Sequence, residues 1–134
     1  MNHKTIATLL RGRLATISGL PTISDENKAF TPNVNNPHLR EAVLFNTTSS
    51  LGLANDSAER QDGIYQVDVL VPKNSFRTVA LGYCDLIRAG FARQAQALID
   101  GDTIINLEGS SVSPARVEGE MFVYSVSVRW TVVI

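Results

Sequence analysis

Two stretches of the chain alternate with a period of two so regularly that their structure is nearly dictated. In residues 63–72, GIYQVDVLVP, Tyr65, Val67, Val69 and Val71 alternate with Gln66, Asp68 and Leu70. In residues 120–133, Phe122, Tyr124, Val126, Val128, Trp130 and Val132 alternate with Ser125, Ser127, Arg129 and Thr131. Successive side chains on a strand point to opposite faces, so each stretch is a strand with one apolar face. Pro72 ends the first, because proline donates nothing to a ladder. Strands of this kind need neighbours in a sheet and a second layer over the apolar face.

The covering layer is legible too. Ile6, Leu9, Leu10, Leu14 and Ile17 recur at three- and four-residue steps, which predicts an amphipathic helix over 3–18. Lys4, Arg11 and Arg13 lie off that stripe, and Gly19 and Pro21 end it. Ser75 is a plausible N-cap for a second helix over 76–92, with Val79, Tyr83, Leu86, Ile87, Gly90 and Phe91 as its inward stripe. Residues 94–100 either extend this helix or form a short extended piece.

Residues 39–48 read as a strand, with Leu39, Glu41, Val43 and Phe45 on one side and Arg40, Ala42 and Leu44 on the other. Residues 102–108 give another, through Thr103, Ile105 and Leu107. Between these elements lie turn-rich segments. Residues 20–38 hold Pro21, Pro32, Pro37 and four asparagines, with a very short strand expected at 23–25. Residues 49–61 and 109–119 read as two long polar loops, and long loops in a small domain are candidate contact surfaces. The fold class that follows is α+β. It is a single domain over 1–134, with a mixed, mostly antiparallel sheet flanked by two helices in the order α-β-β-α-β-β. Met121, Val123 and Val133 share a face with Ser125, Ser127 and Arg129. That face is either half wet or covered by a neighbouring subunit.

Composition narrows the function. The 134 residues carry 44% apolar side chains, enough for one core, and 19% charged ones, below the usual quarter or so. Twelve basic and thirteen acidic residues leave a net charge of −1, so no basic excess suits tight binding of nucleic acid. Cys84 is the one cysteine, which rules out an internal disulfide and a cysteine-based zinc site. No apolar signal region or membrane-spanning run is present, so a cytoplasmic site of synthesis and no membrane partner are expected.

The search for chemistry leaves little. His3 and His38 have no metal-type partner at helical spacing. Cys84 neighbours the inward stripe of the second helix and reads as a buried structural thiol. Asp100 and Asp102 bracket Gly101, an arrangement that turn formation accounts for. There is no phosphate-binding glycine loop. No catalytic residue, cofactor or metal is expected, and a small hydrolase or nucleotide-binding enzyme is a remote alternative.

Several segments, in order, resemble a known family. SDENKAFTP at 24–32 resembles an ENxxFxP element, followed by a strand like Leu39 to Phe45. RQDGIYQVDV at 60–69 resembles a GIYQVDV strand; a helix like Ala80 to Phe91 and a closing strand like Val126 to Trp130 follow. This order is similar to that of small phage tail terminator proteins of lambda-like siphophages, over about residues 5–132. One departure is Lys73, Asn74 and Ser75, where such proteins often have a glycine-rich turn. The resemblance implies a non-enzymatic virion protein of the tail and neck. It would form a homo-oligomeric ring, expected to be hexameric, on the head-proximal end of the tail tube. The ring would end tube growth and present a surface to a head-completion or stopper protein. Genomic DNA would pass through its lumen without sequence-specific contact. Another head–tail joining or neck protein is the alternative within the same class. The two long loops are the candidate axial contacts, with Leu51, Leu53 and Arg60 in the first and Val112 and Arg116 in the second.

Overall fold

The computed structural model describes residues 3–24, 36–46, 49–50, 59–73, 77–92, 97–101 and 103–133. Along the chain run α1 (His3–Ala15), β1 (Thr22–Ser24), β2 (His38–Phe45), β3 (Ser49–Ser50) and β4 (Glu59–Pro72). Then come α2 (Arg77–Gly90), β5 (Leu98–Asp100), β6 (Thr103–Val112), β7 (Arg116–Glu118) and β8 (Met121–Val133). One sheet contains all eight strands in the order β1-β2-β4-β8-β6-β5, with β3 beside β4 and β7 beside β8. Among the described residues, β1 and β2 pair in parallel and every other pair is antiparallel. The α+β architecture with two helices and a mixed, mostly antiparallel sheet is the one the periodicities predict.

The two strands with the strictest alternation, β4 and β8, sit side by side at the centre. They pair over thirteen positions, from Arg60↔Val133 to Pro72↔Met121. Their register puts Tyr65 opposite Val128, Val67 opposite Val126 and Val69 opposite Tyr124, so the apolar sides of both strands form one continuous face. Leu39 of β2 and Ile105 and Leu107 of β6 extend it. Both helices cover this face. Ile6, Leu10 and Leu14 of α1 and Ala80, Cys84 and Ile87 of α2 are buried in the same core as Tyr65, Phe91 and Trp130. Burying that face is the main favourable contribution to folding.

The second helix keeps Ile87 and Phe91 of its expected stripe buried and Tyr83 packed against the core, but turns Val79 and Leu86 outward and Ala80 and Cys84 inward. Ala80, Cys84, Ile87 and Phe91 are buried, whereas Val79 and Leu86 are 41% and 40% exposed. Val79 and Leu86 lie one residue, about 100°, from the buried Ala80 and Ile87 on the helix. Small Ala80 and Cys84 let the helix axis approach the sheet, where bulkier Val79 and Leu86 would hold it off. Burial pushes the Cys84 thiol up to about 11, with Asp85 adding to the effect, so the thiol is packed and un-ionised.

Both expected loops are shorter than their composition implies. β6 continues to Val112, and a register shift between Leu107 and Gly109 absorbs an extra residue. Gly109 has φ 118°, a conformation open mainly to glycine. Ser113 to Ala115 then interrupt the edge before β7 resumes pairing with β8, and the Ser113 amide still donates to the Ser125 carbonyl at 2.9 Å. On the other side of the sheet, β3 takes up β4 where β2 leaves it, with the register offset by one. Residues 49–50 and 59–61 of that segment are therefore paired strand, and residues 51–58 lie outside the described residues. Residues 98–100 resolve the remaining choice as a strand, turned into β6 through Gly101 at φ 59°. The expected N-cap, Ser75, lies outside the described residues. The short strand at 23–25 forms as β1 over 22–24, and α1 ends at Ala15, three residues early.

Candidate functional site

The face of the sheet away from the helices carries the polar side chains, and at one end they converge on Asp68. Cross-strand register places Arg40 of β2 and Ser125 of β8 on either side of it. Arg40 donates to Asp68 Oδ2 from Nε at 3.0 Å and from Nη2 at 2.8 Å. Ser125 Oγ donates to Asp68 Oδ1 at 2.5 Å, and Gln66 Nε2 donates to the same oxygen at 3.0 Å. β7 brings the rest: Arg116 Nη1 donates to Ser125 Oγ at 2.8 Å, and Glu118 Oε2 accepts from Arg40 Nη2 at 3.0 Å. Leu70, Met121 and Val123 are buried beside this network on the same face.

Burial by itself opposes ionisation of Asp68. Hydrogen bonds from Ser125, Gln66 and Arg40, together with the Arg40 charge, outweigh it and hold the carboxyl below its ordinary range. The same arrangement raises the Arg40 pKa, chiefly through Glu118. Two guanidinium groups and two carboxylates neutralise one another, so the cluster offers neither a free nucleophile nor a free base. Its effect is to tie β2, β4, β7 and β8 together on the face opposite α1 and α2. Beside it, His38 is buried, and burial depresses its pKa below the usual value; the Asn36 backbone partly compensates and Arg40 adds to the depression.

At the opposite end of the same face lies a groove of about 440 Å³. Arg60, Asp62, Glu108 and Arg129 line it with alternating sign. Arg60 Nε stands 3.8 Å from Asp62 Oδ2.

Among the described residues, Arg60 of the first expected contact segment lies far from Val112 and Arg116 of the second. Arg60 is exposed on β4. Arg116 is engaged with Ser125, Asp68 and Glu118. They pair with Val133 and Val123 of β8, ten positions apart, or roughly 33 Å along a strand. Val112 ends β6 and packs against the core. Leu51 and Leu53 lie outside the described residues. The Asp68 network was not legible beforehand, because its members come from four strands whose register the sequence does not state. The one available signal was a charged residue at an outward position in the most apolar strand.

No group of three or more His, Cys, Asp or Glu side chains among the described residues is placed to hold a metal ion. Among them, no helix is long and apolar enough to cross a membrane. Residues 5–130 match the family model described as phage tail terminator protein. No curated protein matches the chain. A solved structure 22% identical in sequence superposes with a TM-score of 0.76, over 98% of this chain and 96% of its own. At that identity the likeness speaks for the fold.

Proposed function

The chain belongs to the phage tail terminator family, which makes it a structural protein of the phage tail, and from that premise we propose that it closes the head-proximal end of the tail tube as a ring. The observation that carries the proposal is the family match across nearly the whole domain. The ring is a homo-oligomer, with six copies as the expected number. One annular face docks on the last ring of tube subunits. The opposite face lacks the tube-subunit contact, so polymerisation stops there, and it receives the head-completion protein. DNA passes through the lumen, a role compatible with a net charge of −1 that offers phosphates no strong attraction. Assembly takes place in the host cytoplasm and needs no bond-breaking chemistry.

Closed cyclic symmetry supports this reading physically, because one modest contact repeated around a ring reinforces itself. The β3–β4 hairpin is the proposed axial contact, with Leu51, Leu53 and Arg60 as anchors. Val112 and Arg116 stand as weaker candidates, since the core and Asp68 already engage them. Electron microscopy of particles assembled without this protein tests the function. Overlong tubes are the expected result. Normal-length tails that fail to join heads would instead identify a joining protein and overturn termination.

A further inference from the structure

A pocket of about 310 Å³ opens beside the start of α2, lined by Val71, Arg77, Ala80, Phe122 and Tyr124. Its apolar wall continues onto Val117 of β7, which pairs with Phe122 and is 56% exposed. Arg77, at its rim, is exposed and has no ion pair or hydrogen bond among the described residues. Such a site suits a branched aliphatic side chain followed by a carboxylate: the apolar part leaves water and the carboxylate meets the guanidinium.

The chain itself displays that combination at the other end of the sheet. Ile99 is 58% exposed, the most exposed large apolar side chain among the described residues. Asp100 follows it, also exposed, and its side chain has no ion pair or hydrogen bond among the described residues. Both stand at the β5–β6 turn, where Gly101 at φ 59° makes the bend and Ile104 adds a second exposed aliphatic side chain across from Ile99. Ile105, one residue from Ile104, pairs with Val132, ten positions from Phe122 along β8, so the two patches lie roughly 33 Å apart along the sheet.

We propose that Ile99 and Asp100 of one copy dock into the Val71, Ala80, Phe122 and Tyr124 pocket of the next copy, with Asp100 paired to Arg77. This rests on the ring reading and names the contact that builds the ring. Unlike patches at opposite ends of one molecule join head to tail, the type of contact that generates a closed ring. Like charges placed across the contact oppose association, whereas exchanging both charges keeps the pairing.

The test is sedimentation of the full chain, alone and with isolated tail tubes. All substituted side chains are exposed, and circular dichroism confirms that each variant is folded. R77E, D100R and I99N are each expected to weaken assembly about tenfold or more. The double variant R77E/D100R is expected to regain assembly. If the wild-type chain assembles and the three single variants assemble equally well, this contact is wrong and the ring reading stands. If the single variants keep the ring but no longer bind tubes, the pocket takes a tube subunit, and the proposal is overturned. A wild-type chain that stays monomeric on tubes refutes the ring, and this contact with it.

Discussion

Gly63 shows how one missing side chain fixes the packing around the largest aromatic residue. It lies between Phe45 and Trp130 in the cross-strand row, and the Phe45 and Trp130 rings meet edge to face at 5.6 Å. A Cβ at Gly63 would lie 2.1 Å from the Leu44 carbonyl oxygen and 2.6 Å from Trp130 Cζ2. Neither the backbone nor a ring that is 1% exposed gives way cheaply. Gly63→Ala should therefore cost about 2–4 kcal/mol in chemical denaturation, despite adding only a methyl group; a loss under about 0.5 kcal/mol would refute this account. Asp68 and His38 set the response to acid. The depressed His38 pKa means that the unfolded chain takes up protons more readily near pH 6.5. Stability is thus lost as pH falls from there toward the folded pKa. Asp68 adds a second loss at lower pH, because its ionised form is favoured by folding and its contribution disappears as pH falls through the folded pKa. Melting temperatures from pH 7.5 to pH 3 should fall in both windows. Asp68→Asn should flatten the lower one and cost about 1–3 kcal/mol at neutral pH; an unchanged acid limb would show that the network contributes nothing to folding.

At the scale of elements, the informative case is α2. Its expected stripe spans two adjacent rows, Val79, Tyr83, Leu86 and Gly90 in one and Ile87 and Phe91 in the other. The structure buries the second row and completes it with small Ala80 and Cys84, since close approach of a helix to a sheet is limited by side-chain size as well as driven by apolarity. Leu86→Glu should change stability by no more than about 0.5 kcal/mol, while Cys84→Glu should abolish cooperative unfolding, because it buries a charge with no partner. Thermal denaturation of the pair decides which face is inward. The β6–β7 edge is a second case. Its Gly109, Ser113 and Pro114 looked like loop residues, and they mark a bulge and an interruption in one continuous edge.

At the scale of the whole molecule, β4 and β8 form a spine, and everything assigned to contact lies at its ends. The pairing of β3 with β4 runs past the end of β2: Ser49 and Ser50 pair with Arg60 and Glu59, beyond the last β2 partner, Gly63. A variant lacking residues 51–58 is expected to fold with unchanged secondary structure, read by circular dichroism. In assembled particles it should yield overlong tubes, scored by electron microscopy. Tails of normal length would remove the hairpin tip from the mechanism.

Periodicity settled the long strands, the two helices and the class of fold, because burial of one face acts residue by residue and leaves its spacing in the chain. Leu39 to Phe45, Tyr65 to Val71 and Phe122 to Val132 declared their faces in this way. The order of short motifs also pointed to the family. Only the tertiary structure decided which stripe of α2 is inward, that Gly109 to Glu118 is an edge rather than a loop, and that Arg40, Asp68, Arg116, Glu118 and Ser125 meet. It also decided that an apolar pocket beside Arg77 and an exposed Ile99–Asp100 pair stand at opposite ends of one sheet. Those outcomes depend on strand order and register, which arise from contacts between residues far apart in the chain, and local pattern carries no record of such contacts.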